Sequence, residues 1–200
     1  MNQPIGLSSG LEPVPGVAVP GTVVDPDTPA WLRPVARGLL LLNRLMLGLG
    51  MVAALIAALV LTSSVVSRYV LHASTDWQDE TAVFCLVGAT FLCAAYVQSL
   101  RGHVGIEALV GVLSPRVNRV RQLLVDAVSL AFCIFFAWKS GTLLHEAWVD
   151  GQTTSSTWAP PLSIPYGLMT AGMVLLCLQL AVQVVVDLNR LAGSTGAARR

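Results

Sequence analysis

Three carboxylates and a tryptophan stand together directly before a long uncharged stretch of the sequence. They are Asp76, Trp77, Asp79 and Glu80, and the next charged residue is Arg101. Carboxylates near the start of a helix are stabilised by its dipole and its free amide groups, so helix capping is one interpretation of this cluster. Capping explains the negative charge but not the tryptophan. A specific contact with another helix or subunit is therefore the second interpretation.

Two charged residues lie inside otherwise apolar stretches, where an ionisable group is costly and becomes a candidate for function. Asp126 and Lys139 are thirteen residues apart. On a helix this spacing separates them by roughly 140° around the axis and about 20 Å along it, so they cannot pair with each other. Lys139 could extend towards Glu146, and Asp126 could lie at the inner boundary. The alternative for both is a salt bridge to a neighbouring helix or subunit.

No residue pattern points to a haem, metal or enzyme site. His72, His103 and His145 lie at predicted span ends or in loops, whereas a b-type haem needs paired histidines at membrane depth. The four cysteines have neither disulfide nor zinc spacing. Phosphate-binding glycine loops and nucleophile motifs are also missing from the sequence. We therefore predict no cofactor, no metal, no nucleic-acid partner and no catalytic residues.

The chain is too apolar for a soluble domain. Of its 200 residues, 54% are hydrophobic and 12% are charged, whereas soluble domains carry about 25% charged residues. Crossing a hydrocarbon core of ~30 Å takes about 20 helical residues. Four stretches suit this, at residues 45–67, 81–100, 122–145 and 164–188. Because backbone amides must be paired in lipid and no alternating strand pattern appears, we predict an all-α integral membrane protein with four transmembrane helices.

Basic residues predict how the helices are oriented. Ten of the eleven basic residues outside the predicted spans lie on one side, and only Arg68 lies on the other. Since positively charged loops are retained in the cytoplasm, both termini are predicted to be cytoplasmic. Aromatic residues that favour the membrane boundary gather at the opposite, outer side. They are Tyr69, Trp77, Trp148, Trp158 and Tyr166.

The ends of the chain differ from its centre. Residues 1–30 contain six prolines, four glycines and no lysine or arginine, which predicts a disordered cytoplasmic tail. A membrane domain is predicted over residues 31–191, and residues 192–200 form a basic tail. Two segments have the pattern of short amphipathic helices lying on the membrane, although either could bind a partner protein instead. The residues are Arg33, Arg37 and Arg44 in the first, and Ile106, Leu109, Val110 and Leu113 in the second.

Two helix faces are predicted to pack against protein rather than lipid. One repeats small residues every four positions, which would let another helix approach closely, and the other is a polar stripe on the fourth span. The residues are Thr81, Cys85, Ala89 and Cys93 on the first face, and Gln179, Gln183 and Asp187 on the second.

The order of three motifs resembles the small membrane subunit of tripartite ATP-independent periplasmic (TRAP) transporters. Arg68 and Tyr69 close the first span, and Trp77, Asp79 and Glu80 open the second. These are similar to the family's Arg-Tyr and Trp-x-Glu-Glu signals, with Asp79 in place of the first glutamate. The sequence RGHVGIE at residues 101–107 is similar to the family's turn after the second span, and residues 156–166 resemble its proline-rich start of the last helix. The residues in these two motifs are Arg101, His103, Glu107, Trp158, Pro160 and Pro165.

The resemblance covers about residues 37–191 and implies a non-catalytic subunit in the inner membrane of a bacterium. In such transporters a periplasmic binding protein captures an organic acid or similar solute. A large permease subunit then moves the solute using a sodium or proton gradient. The small subunit docks on the large one and widens its fixed scaffold, so its partners would be the permease, the binding protein and membrane lipid.

Within that picture, Trp77, Asp79 and Glu80 would lock the outer end of the second span against the first span or the large subunit. Arg101 and His103 would act at the inner end. A membrane-anchor or cytochrome-like subunit of an electron-transfer complex is the main alternative. A free-standing scaffold or small channel is a third, but only the fourth span has anything like a continuous polar lining.

Overall fold

The computed structural model describes residues 28–72, 74–100 and 115–197. Within these ranges the chain forms four long helices and no strand. They are α1 (Arg33–Val66), α2 (Asp76–Ser99), α3 (Pro115–Val149) and α4 (Ser163–Ala197), and α1 continues into a π-helical turn, Ser67–Leu71. All four helices are long and apolar enough to span a membrane. The predicted all-α fold with four helices able to span a membrane is confirmed.

Three of the helices are much longer than a bilayer core is thick. At about 1.5 Å per residue, the 34 residues of α1 and the 35 residues each of α3 and α4 extend for roughly 50 Å. The segment predicted to lie on the membrane near Arg33 is the first part of α1 and not a separate helix. Its position relative to lipid stays a prediction. The other predicted surface segment, residues 106–113, lies outside the described residues.

The helices lie side by side in the order α1, α2, α4, α3. Helix α1 packs on α2, α2 packs on α4, and α4 packs on α3. The helices at the two edges of this row, α1 and α3, therefore each leave a wide apolar face without a protein neighbour in the described chain. Leu55 on α1 and Phe132 on α3, for example, are 61% and 66% exposed.

Close helix contacts depend on small residues. At Gly50 on α1, a side chain would meet Ala89 and Cys93 of α2, which confirms that these two residues lie on a close-packing face. At Gly172 on α4, a side chain would meet the backbone of Phe91 on α2. Helix α3 joins this core through Cys133, which packs with Met173 and Leu180.

The chain connections divide between the two ends of the row. The turn between α1 and α2 and the loop between α3 and α4 lie at one end, where Thr157 of the loop donates a hydrogen bond to Asp76 of α2. The first residues of α1 and the last residues of α4 lie at the other end. We call these the outer and inner ends, after the orientation predicted from the arginines.

Candidate functional site

Asp79 joins α1 to α2 at the outer end. Its Oδ1 accepts a hydrogen bond from the Ser64 hydroxyl at 3.1 Å, and its Oδ2 accepts one from Arg68 Nη2 at 3.0 Å. The same Nη2 atom donates to Thr75 Oγ1 at 2.8 Å. Ser64 lies in α1, Arg68 in the π-helical turn and Asp79 in the first turns of α2. These four side chains, Ser64, Arg68, Thr75 and Asp79, form what we call the outer clamp.

The outer clamp positions the helices more than it stabilises them. The Arg68 and Asp79 side chains are 60% and 50% exposed, and exposed ion pairs contribute ~0–1 kcal/mol. Ser64 is buried, so its hydrogen bond is worth about 1 kcal/mol. Because two of the three contacts converge on the Asp79 carboxylate and the third holds Arg68 to Thr75 at the start of α2, they fix the angle at which the chain turns from α1 into α2.

Side-chain capping accounts for little of the acidic cluster. The residue at the N-cap position of α2 is Thr75, whose side chain makes no capping hydrogen bond because its hydroxyl accepts from Arg68 instead. Asp76 and Asp79 lie in the first turn, where the helix dipole favours them. Asp79 nevertheless bonds to Ser64 and Arg68. The Oε2 atom of Glu80 is buried and has no hydrogen-bond partner among the described residues.

The outer loop before α4 is closed by its own backbone. Thr154 N–H donates to the Pro160 carbonyl, and Leu162 N–H donates to the Gln152 carbonyl, each at 3.0 Å. Pro160 is buried by this closure, and Pro165 is buried in the first turn of α4. The remaining predicted outer residues, Tyr69, Trp77 and Trp158, are exposed.

Buried amides tie three helices together towards the inner end. Asn43 of α1 donates through Nδ2 to Gln179 Oε1 of α4 at 2.9 Å. Gln98 of α2 donates through Nε2 to Gln183 Oε1 at 2.8 Å. In return, Gln183 Nε2 donates to the backbone carbonyl of Gln98 at 2.9 Å. We call these two pairs the inner ties. Gln179 and Gln183 are one helical turn apart, so a single face of α4 holds both α1 and α2.

The polar stripe of α4 and Asp126 both face protein. Gln179, Gln183 and Asp187 are all buried, which confirms the prediction for the stripe, and Asp187 accepts from Arg190 Nη1 at 3.3 Å. Asp126 on α3 is 1% exposed and accepts from Gln122 Nε2 at 3.3 Å. Asp126 is therefore buried in protein, and its depth in the membrane stays a prediction.

Lys139 has a different environment, because it is exposed on the edge helix α3. Its Nζ lies 5.3 Å from the ring centroid of Trp138 rather than beside Glu146. At an exposed site such as this one, a cation–π contact is worth about 0.5–1 kcal/mol, whereas a lysine at the centre of a membrane helix costs about 2.5–3.5 kcal/mol. The tryptophan ring alone does not offset the cost of placing this charge in lipid.

The chain was also compared with known proteins. The family model described as "Tripartite ATP-independent periplasmic transporters, DctQ component" matches residues 57–190, more than half of the chain. The chain belongs to this family. It is therefore a small membrane subunit of a TRAP transporter, as the three motifs indicated. Neither the curated proteins nor the solved structures contain a match.

The structure brings two of the predicted site residues together. Arg68 and Asp79, from two separate motifs, meet in the outer clamp. Trp77 and Tyr69 lie near it without entering the clamp. Three predicted residues of the inner turn lie outside the described residues, and their role stays a prediction. They are Arg101, His103 and Glu107. The family assignment gives no support to the alternative of a cytochrome-like anchor.

Four residues of the site were not predicted from the sequence. Ser64 and Thr75 complete the outer clamp, and Asn43 and Gln98 are the partners of the glutamine stripe. A signal for two of them exists in α1. Five of its six buried positions follow one another at seven-residue intervals, namely Ala36, Asn43, Gly50, Ala57 and Ser64. Small or polar residues at this spacing in an otherwise bulky aliphatic helix mark a helix-packing seam.

Proposed function

We propose that this DctQ subunit braces the large permease subunit of its transporter and carries no solute itself. Family membership supports a place in such a transporter. The physical support is that the helices are tied at both ends. The outer clamp holds α1 to α2, and the inner ties hold α1 and α2 to α4. A row of helices held in this way resists shear, which is what a stationary frame needs when a partner domain moves against it.

The outer clamp is the observation that carries this proposal. The Arg-Tyr and Trp-x-Asp-Glu motifs meet through Arg68 and Asp79 at 3.0 Å, and Ser64 supplies a second contact to Asp79. These side chains hold two helices of the same chain together. That use suits a scaffold better than it suits solute binding.

The proposal for the wider assembly rests on the resemblance to the family. We propose that a periplasmic binding protein delivers an organic acid or similar solute to the large subunit, and that an ion gradient drives its uptake. Both termini would be cytoplasmic and the membrane would be the bacterial inner membrane. The tails, residues 1–30 and 192–200, would lie outside the membrane domain of residues 31–191. At the described inner end, Arg37 and Arg44 contribute to the positive charge expected on the cytoplasmic side.

Replacing Asp79 with alanine tests the brace. Ser64 and Arg68 would lose their shared acceptor, so the α1–α2 angle should loosen at a cost of only about 1–2 kcal/mol in subunit stability. The subunit should still fold. The amount of large subunit that co-purifies with it, and the uptake of a radiolabelled organic acid bound by the cognate binding protein, should both fall.

Two variants control this experiment. Asp79→Glu keeps a carboxylate and should retain assembly and uptake. Asp150→Ala removes another exposed outer carboxylate, which accepts only from nearby Gln152 within the described chain, and should change neither readout. Normal assembly and normal uptake with Asp79→Ala would contradict the brace.

A further inference from the structure

The exposed face of α3 forms a ridge that crosses the expected depth of the membrane. Residues on this face lie within about 40° of Lys139 around the helix axis. They are Val128, Phe132, Phe135, Leu143 and Glu146, and all of them are exposed. We call this set, with Lys139, the Lys139 ridge. Among the described elements, helix α3 packs on α4 and touches α2 where Phe136 stacks on Phe91. The exposed residues of the ridge are left uncovered by the described protein.

Lys139 lies well inside the length of this mostly apolar ridge, and it has no counter-ion in the described part of the chain. It is ten residues before the end of α3 at Val149, about 15 Å along the helix. Glu146, on the same face, is about 10 Å away along the axis. Helical side chains point back towards the N-terminus, and Lys139 Nζ accordingly lies over Trp138, away from Glu146. Within residues 28–72, 74–100 and 115–197, no carboxylate forms an ion pair with Lys139.

The opposite edge of the row provides a contrast. The exposed face of α1 carries large aliphatic residues such as Leu55 and Leu59, and residues 45–67 contain no charge. That face suits lipid. Ionisable residues at membrane depth, by comparison, normally pair or face other protein.

We propose that the Lys139 ridge is the surface that docks against the large permease subunit, and that Lys139 pairs there with a carboxylate of that subunit. This inference rests on the proposed function and adds which edge of the row faces the partner. Charge complementarity identifies the occupant, because lipid tails offer no counter-charge. A second copy facing the same way would bring its own lysine to this depth, with its Glu146 about 10 Å away along the axis. An open cavity of about 360 Å³ beside the ridge, lined in part by Trp138, Gly141 and Glu146, offers room for an incoming side chain.

Photo-cross-linking on the intact complex tests directly which edge of the row faces the large subunit. The photoreactive residue benzoylphenylalanine would replace Phe135 on the ridge or, as the matched control, Leu55 at a similar depth on α1. The full chain is co-expressed with its large subunit. Irradiation should yield an adduct with the large subunit from position 135 and none from position 55. An adduct from position 55 alone, an adduct between two copies of this chain, or no adduct at either position would overturn the assignment.

A charge test on Lys139 complements the cross-link. Lys139→Met keeps an unbranched side chain but removes the ammonium group. It should weaken the complex about tenfold or more, measured as the dissociation constant in detergent. Lys139→Arg keeps the charge and should bind nearly normally. Equal binding by Lys139→Met and the unmodified chain would overturn the ion pair.

The unmodified chain separates this inference from the proposed function. If it failed to co-purify the large subunit, the brace itself would be wrong. If it co-purified the large subunit but position 135 gave no adduct, only the docking edge would be wrong.

Discussion

Alanine in place of Gly172 should force α2 and α4 apart. Its Cβ would come within 3.0 Å of the Phe91 backbone, closer than real Cβ atoms approach other atoms. A backbone obstacle cannot move aside by changing rotamer, so the overpacking cost should be about 3 kcal/mol. The higher helix propensity of alanine relative to glycine offsets about 1 kcal/mol of this cost. The net loss of about 2 kcal/mol should lower the unfolding temperature of the detergent-solubilised subunit.

The effect should extend to the inner ties, because Gly172 and Gln179 lie on the same helix. If α4 moves away from α2, it also moves away from Asn43 of α1. Gly172→Ala should therefore lower the recovery of the large subunit as well as stability.

Gly141→Ala is the matched control on the neighbouring α3–α4 contact. There the closest atom to an added Cβ is Thr170 Cγ2 at 4.0 Å, which is ordinary contact. This variant should be neutral or slightly stabilising, since alanine favours the helix. Equal destabilisation by Gly141→Ala and Gly172→Ala would mean that helix flexibility, and not the contact with Phe91, is what the glycines provide.

The helices were predictable because the membrane sets their minimum length. Uncharged stretches such as residues 81–100 have one physical solution in lipid, and α2 ends within a residue of that boundary. The extra length of α1 and α3 was not predictable in the same way. Hydropathy indicates which residues suit the hydrocarbon core of the membrane. A helix can continue beyond those residues as long as its backbone hydrogen bonds form.

Helix order and side-chain partners were harder to predict, for a different reason. Gln183 could be assigned to a buried face from its spacing with Gln179, but its partner Gln98 depends on which face of α4 lies against α2. That choice is made by three-dimensional packing at contacts such as Gly172 with Phe91. The family resemblance identified Arg68 and Asp79 without showing that they bond to each other. Their meeting depends on the π-helical turn, which no sequence pattern indicated.

The buried amide pair of Asn43 and Gln179 should show strong non-additivity on mutation. Asn43 is fully buried, its Nδ2 has Gln179 as acceptor, and its Oδ1 has no partner in the described chain. Gln179→Met keeps the side-chain length but leaves the whole Asn43 amide without a hydrogen bond. We expect this to cost about 1–2 kcal/mol, the upper range for polar contacts between membrane helices. Asn43→Leu should cost a similar amount because it leaves the buried Gln179 amide without its hydrogen-bond partner.

The double variant Asn43→Leu/Gln179→Met distinguishes a hydrogen bond from simple packing. When both polar groups are replaced by apolar groups of similar shape, no buried amide remains unsatisfied, and the loss should be smaller than either single loss. Unfolding measurements on the four proteins of this cycle give the coupling directly. Additive losses would show that the two residues act independently, and α1 would then be held to α4 by shape alone. A recovered double variant would show that this inner tie selects the register of α1 against α4, since an amide placed out of register would stay unpaired.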